Sequence, residues 1–143
     1  MNKMSKTLFL IFNHQITLEQ KQDAEKSLGI SGFVDLSPTL KELWSQIPPE
    51  LESVEDYLLP ISEWLSQNAT NGNYILIQGD FGAVYYLVNL AFRFGLVPVY
   101  STTARRAEEV RGTNGEIRLT HTFRHVRFRK YERCDFNKSG NLS

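Results

Sequence analysis

"YILIQGDFGAVYYLVNLAFRFG", Tyr74 to Gly95, is the stretch whose reading decides the fold class of this chain. Its first four residues form an unbroken apolar run, the length and composition of a strand covered on both faces. Gln78-Gly79-Asp80 follows as a tight polar turn, and Phe81 to Phe94 reads as an apolar helix that Gly95 stops. A buried strand, a short turn and a helix make one βα unit, and repeated units of this kind build a parallel sheet.

Working outward, the same grammar recurs. Leu8 to Phe12 is a second apolar strand. Thr17 follows as a helix cap with Gln20 in the capping-box position, Ala24 and Leu28 on the apolar stripe, and Gly29 as the stop. "GFVDL", Gly32 to Leu36, is a brief strand before Ser37-Pro38, an N-cap with proline at the first helical position. A longer helical pattern carries Val54, Tyr57, Leu58, Ile61, Trp64 and Leu65, and Pro60 inside it predicts a kink or break. After Gly95, "LVPVY" returns as a strand expected to stop at Ser101-Thr102-Thr103. Asn114-Gly115 then joins two strand-like runs into a hairpin, and "HVRFRKY" reads as a final strand. The expectation is an α/β fold: a mostly parallel sheet flanked by helices, with a C-terminal antiparallel β-hairpin. Residues 1–133 form a single domain, and the polar tail 134–143 is read as disordered.

The 143 residues suffice to bury about 70% of the unfolded surface. No apolar run approaches the roughly 20 residues of a membrane helix, and no cleavable leader is recognisable, so a cytoplasmic protein without membrane contact is expected. The single Cys134 excludes an internal disulfide and a cysteine zinc site. Net charge is zero but unevenly spread: residues 1–100 hold six Lys/Arg against eleven Asp/Glu, and residues 101–133 hold nine against four. That asymmetry fits an anionic partner for the last third, or a solvated hairpin whose long side chains shield an edge. General RNA binding by the basic third is opposed by the acidic first hundred residues.

Ligands of open parallel sheets bind outside the carboxyl ends of the strands. Three polar clusters fall there: Asn13-His14-Gln15, Gln78-Gly79-Asp80-Phe81-Gly82, and Ser101-Thr102-Thr103-Ala104-Arg105-Arg106. Gly79 and Gly82 permit close backbone approach, and helix-start N–H groups favour anions. Ser101, Thr102 and Thr103 supply hydroxyls, Arg105 a phosphate-matching fork, and Asn13 and Gln78 groups that read a base or ribose edge. The set suits a nucleotide, although neither a Walker lysine nor a G-x-G-x-x-G is present. Asp80 reads equally as a helix cap. His14, His121 and His125 lie on separate segments without metal-ligand spacing, so no metal is expected. A Ser-His-Asp set drawn from Ser101, His14 and Asp80 lacks the nucleophile-elbow context.

"LFLIFNHQITLEQKQDAEKSLGI", "LWSQIPPELESVEDYLLPISEWL", "YILIQGDFGAVYYLVNLAFRFGLVPVYSTTAR" and "HTFRHVRFRKY" resemble the small stand-alone proteins of the CRISPR-associated Rossmann fold (CARF) superfamily. Within it the chain is most similar to the accessory ring nucleases of type III systems. The likeness runs from Thr7 to Tyr131, with "FNHxxTxxQxxDA" and "QGDFGA" as its most distinctive parts. It implies a Rossmann-like homodimer that binds cyclic oligoadenylate, chiefly the tetraadenylate, across a two-fold axis. It also implies cleavage without metal or cofactor, which silences the antiviral signal; the alternative is a non-catalytic sensor or sponge for the same ring. No sequence-specific DNA or RNA binding is implied.

On that likeness a ribose 2′-hydroxyl attacks the adjacent 3′-phosphate, expels the 5′-oxygen and leaves a 2′,3′-cyclic phosphate. Arg105 and Thr102 are then expected to stabilise the phosphate, and His14 to orient or deprotonate the 2′-hydroxyl. Asn13, Gln78, Gly79, Asp80, Phe81 and Gly82 should line the adenosine pocket with Ser101, Thr103 and Arg106. The basic hairpin, with Arg124, His125 and Arg127, should close over the ring or make the dimer contact.

Overall fold

A computed structural model describes residues 5–136. The chain runs β1 (Lys6–Ile11), α1 (Leu18–Leu28), β2 (Ile30–Asp35), α2 (Pro38–Ser45), α3 (Leu59–Asn68), β3 (Tyr74–Ile77), α4 (Phe81–Arg93), β4 (Val97–Arg111) and β5 (Ile117–Lys130). The five strands form one sheet in the order β2-β1-β3-β4-β5. The first four are parallel and β5 is antiparallel to β4. The expected α/β class, mostly parallel sheet and terminal hairpin are all present. The tail expected from Cys134 lies, from residue 137 on, outside the described residues. No described helix is long and apolar enough to cross a membrane.

Local chemistry sets the element ends. Thr17 Oγ1 accepts from Gln20 N at 3.1 Å, while Thr17 N donates to Gln20 Oε1 at 2.9 Å, a reciprocal box that starts α1. Gly29 ends it at φ 70°, a left-handed value that costs glycine nothing. Ser37 caps α2 ahead of Pro38. Pro60 falls in the first turn of α3, so the helical pattern begun at Val54 breaks and the helix proper starts at Leu59.

The two-residue period of the strands divides the core between two sheet faces. Phe9, Ile11, Ile75 and Ile77 pack against Trp44, Leu58, Ile61, Leu65 and Leu87 on the side of α2, α3 and α4. Leu8, Leu10, Leu76, Val99 and Phe128 pack with Ala24 of α1 on the other. With helices on both faces, β3 and β1 from Leu8 onward carry apolar residues at every position, as the runs in the sequence require.

One expectation is corrected. The strand beginning "LVPVY" does not stop at Ser101-Thr102-Thr103 but continues to Arg111, paired with β5 along its length. What the sequence divides into a short strand, a hairpin and a final strand is one long two-stranded ribbon. Cross-strand pairing bonds the backbone of alternate residues and solvent reaches the others, so these polar residues continue the strand without a turn. The ribbon reverses at Thr113-Asn114-Gly115, where Gly115 takes φ 83° and Gly112 N donates to Glu116 O at 2.7 Å. From Arg105 to Arg124 every residue is exposed.

Candidate functional site

Strand order reverses between β1 and β3: β2 lies beyond β1 on one side, and β3, β4 and β5 follow on the other. In open α/β sheets a crevice forms at that reversal, outside the carboxyl ends of the strands. Asn13 and His14 leave β1 there, and Gln78, Gly79 and Asp80 leave β3 beside them. Gln78 N donates to Ile11 O at 3.0 Å, which ties the two strand ends together. Below them, Trp44 Nε1 donates to Gln78 O at 3.0 Å. The indole lies so close under Gly79, at φ 156°, that a Cβ there would stand 3.0 Å from three of its ring atoms.

Around this crevice the sequence-predicted residues take definite places. Asp80 Oδ2 accepts from Ala83 N at 3.0 Å, so its carboxylate caps α4. Phe81 follows with 94% of its surface exposed, an aromatic face beside the start of a helix. His14 is exposed; its ring meets Phe12 edge-on at 6.3 Å, and its carbonyl accepts from Lys41 Nζ at 3.5 Å.

The third cluster joins the second through a side chain, and reaches α1 through others. Gln78 Oε1 accepts from Ser101 N at 2.7 Å. Ser101 Oγ lies 2.6 Å from His125 Nδ1, and His125 Nε2 lies 2.7 Å from Asp23 Oδ2. Gln20 Nε2 donates to the same Ser101 oxygen at 3.4 Å. The carboxylate only accepts, so Nε2 carries a proton, and in the neutral ring Nδ1 is left to accept from the serine hydroxyl. Only 5% of the His125 side chain is exposed, and Phe128 packs against the ring at 4.6 Å.

A β-bulge makes this network possible. Phe128 pairs with Ser101 and is buried under α1. Strict alternation back from Phe128 would turn His125 to the opposite sheet face. The register shift at Thr102/Thr103 leaves Val126 outside the pairing, and this extra residue brings His125 round to the Ser101 face. Thr102 Oγ1 donates to Arg127 O at 3.0 Å and accepts from Arg127 N at 3.2 Å, so its hydroxyl holds the bulge.

Gln20 and Asp23, quoted above only in a capping box and a motif, were not read as site residues from sequence. Their signal was present: Gln20, Asp23 and Ser27 recur at three- and four-residue spacing and therefore share one helix face. Ser27 Oγ donates to Asp23 Oδ1 at 2.6 Å. Burial alone pushes the Asp23 carboxyl up, but the bonds from Ser27 and His125 and the electrostatic pull of His125 and Arg127 outweigh it. The group is held below its usual 3.8. A depressed carboxyl contributes stability above its unfolded-state value and loses it as pH falls through the folded value. Asp23→Asn should therefore cost about 1–2 kcal/mol at pH 7. That difference should shrink steadily below about pH 4. Urea midpoints of both proteins at pH 7 and pH 3 measure it; an equal gap at both would show that the charge contributes nothing.

Arg105 and Arg106 stand exposed farther out on the ribbon, and among the described residues the Arg105 side chain has no polar partner. By the two-residue period Ser101, Thr103 and Arg105 share one face of β4, about 7 Å apart in succession. Thr103 pairs with His125 in the ladder, and Arg124 reaches Glu19 at 3.6 Å. No group of three His, Cys, Asp or Glu residues with metal-holding geometry occurs among the described residues. An open groove of about 690 Å³ runs along α4 from Phe81 to Phe92, bounded by Tyr131 and Arg133, on the sheet face away from His125.

A family model described as the uncharacterized protein MJ1673 family matches residues 6–129. A protein of Methanocaldococcus jannaschii, described as uncharacterized protein MJ1673, is 46% identical over 124 residues, 87% of this chain and 95% of the relative's length. No solved structure matches.

Proposed function

The chain belongs to the MJ1673 family, and we propose that it binds a cyclic oligoadenylate in the crevice at the β1/β3 reversal and cleaves it without a metal ion. The ring best suited is the tetraadenylate, and the products are linear, ending in a 2′,3′-cyclic phosphate. The role that follows is to switch off type III CRISPR signalling. The observation that carries this reading is the convergence on Gln78. Its N–H holds the end of β1, its side-chain oxygen holds Ser101 within β4, and two polar strand ends thereby meet the polar stretch of a third strand. The resemblance drawn from the sequence supports the same ligand.

Each proposed role follows from position. Phe81, almost fully exposed, offers a stacking face for adenine, and Gly79 lets backbone approach the ligand closely. His14 and Asn13, just past the end of the neighbouring β1, orient the ribose. Arg105 has an unengaged guanidinium for the phosphate undergoing attack. A four-fold ring presents two equivalent halves, so a second copy of the chain completes the site. Ile117, Leu119 and Phe123 are each more than half exposed, share one ribbon face by the strand period, and are the contact proposed for that copy.

The second reading is a non-catalytic sensor or sponge for the same ring. One observation favours it: the Thr102 hydroxyl, expected to stabilise phosphate, is already engaged by the Arg127 backbone. Incubation of purified protein with cyclic tetraadenylate in EDTA separates the two. Cleavage gives a linear product with the mass of a cyclic phosphate, from a protein that sediments as a dimer. Tight binding with intact ring after long exposure at stoichiometric protein establishes the sensor instead, and neither binding nor cleavage rejects both.

A further inference from the structure

We propose that Asp23, His125 and Ser101 form a proton relay, with Ser101 Oγ as the group that meets the substrate; the inference rests on the phosphodiester-cleavage reading above. The geometry is directional. The Asp23 carboxylate accepts a hydrogen bond from His125 Nε2 at 2.7 Å, Nδ1 of the neutral ring is left as an acceptor, and the Ser101 hydroxyl lies 2.6 Å from it. Gln20 donates to the serine oxygen from the other side, which leaves the hydroxyl proton to point at the imidazole. The ring itself is almost entirely buried, whereas Ser101 is half-buried at the strand edge where Gln78 turns. Proton traffic between this histidine and a ligand must therefore pass through the serine.

The step balances without a metal or an oxidant. As the ribose 2′-oxygen bonds to phosphorus, its proton passes to Ser101 Oγ and the serine proton passes to His125 Nδ1. The bond from phosphorus to the 5′-oxygen breaks, and that oxygen takes a proton from water. The imidazolium, held against Asp23, returns its proton to solvent through Ser101. Asp23 is a positioning residue: it sets the tautomer and stabilises the ring while that ring is charged. The groups that face this ring are Asp23 and Gln20 from α1, Ser101 from β4, and Phe128 from its own strand, with Arg127 acting on Asp23. The relay takes over the deprotonation that the resemblance offers His14, whose exposed ring has no such partner among the described residues.

Two measurements test it. Nitrogen-15 NMR of the ligand-free protein at neutral pH should find His125 protonated on Nε2 and bare at Nδ1; a ring protonated on Nδ1 overturns the relay. In turnover, Ser101→Ala should lower kcat for cyclic tetraadenylate about 100-fold with KM little changed, and Ser101→Thr, which keeps the hydroxyl, should restore most of it. An active wild-type protein whose Ser101→Ala variant keeps its kcat overturns the relay and leaves the cleavage reading standing. A wild-type protein that binds the ring without cleaving it overturns that reading and the relay together.

Discussion

Trp44→Ala is expected to destabilise the fold by about 3–5 kcal/mol, the cost of emptying a buried aromatic site. Trp44 is only 2% exposed and packs among the residues that cover the α2–α4 face of the sheet. Its indole N–H also carries the Gln78 carbonyl, so truncation removes a hydrogen bond together with the packing. With a urea slope of about 2 kcal/mol per molar, the midpoint should fall by about 2 M. Beyond stability, the crevice loses its floor, since the same ring supports the Gly79 turn. That second effect is separable. Gly79→Ala places a methyl 3.0 Å from the ring in an unfavourable backbone region, and Trp44→Phe, which removes the outer ring of the indole with its Cζ2, should relieve part of its cost. A coupling of at least about 0.5 kcal/mol between the two positions is expected from chemical denaturation of both singles and the double. Strict additivity would mean that the indole does not shape the turn.

The second large effect concerns Arg105. Arg105→Ala should reduce cleavage of cyclic tetraadenylate about 100-fold, the loss typical of removing one donor that meets developing negative charge. Its thermal midpoint should stay within about a degree, because exposed side chains without polar partners contribute little to stability. Arg118→Ala is the matched control. Arg118 is the same residue type on the same ribbon, exposed and 3.8 Å from Glu116, but it stands next to the turn, away from the crevice. Its replacement should leave turnover unchanged. Equal losses from both variants would point to diffuse attraction by the whole ribbon, and no loss from either would remove Arg105 from the chemistry.

These two expectations draw on different depths of legibility. Trp44 is recognisable in sequence as a core residue of a helix begun by Ser37-Pro38, yet its bond to Gln78 joins residues 34 apart. Arg105 is legible as a cation near a strand end, but the strand does not end there. Cross-strand pairing carries β4 ten residues beyond Ser101, and only a partner segment from residues 117–130 makes that favourable.

The sequence by itself determined what short-range chemistry controls. Apolar runs of four to six residues became strands covered on both faces; Thr17, Ser37 and Asp80 became helix caps; Gly29 and Gly115 supplied left-handed turns; and Pro60 broke the pattern around it. Those signals lie within a few residues of what they control. The Asp23–His125–Ser101 network was decided only by tertiary structure, because its outer members stand 102 residues apart and one unpaired residue, Val126, sets the face of the histidine. Alternation counted along β5 turns His125 away from Ser101. Only the packing of Phe128 beneath α1, together with the Thr102 clasp on Arg127, fixes the register that turns it back.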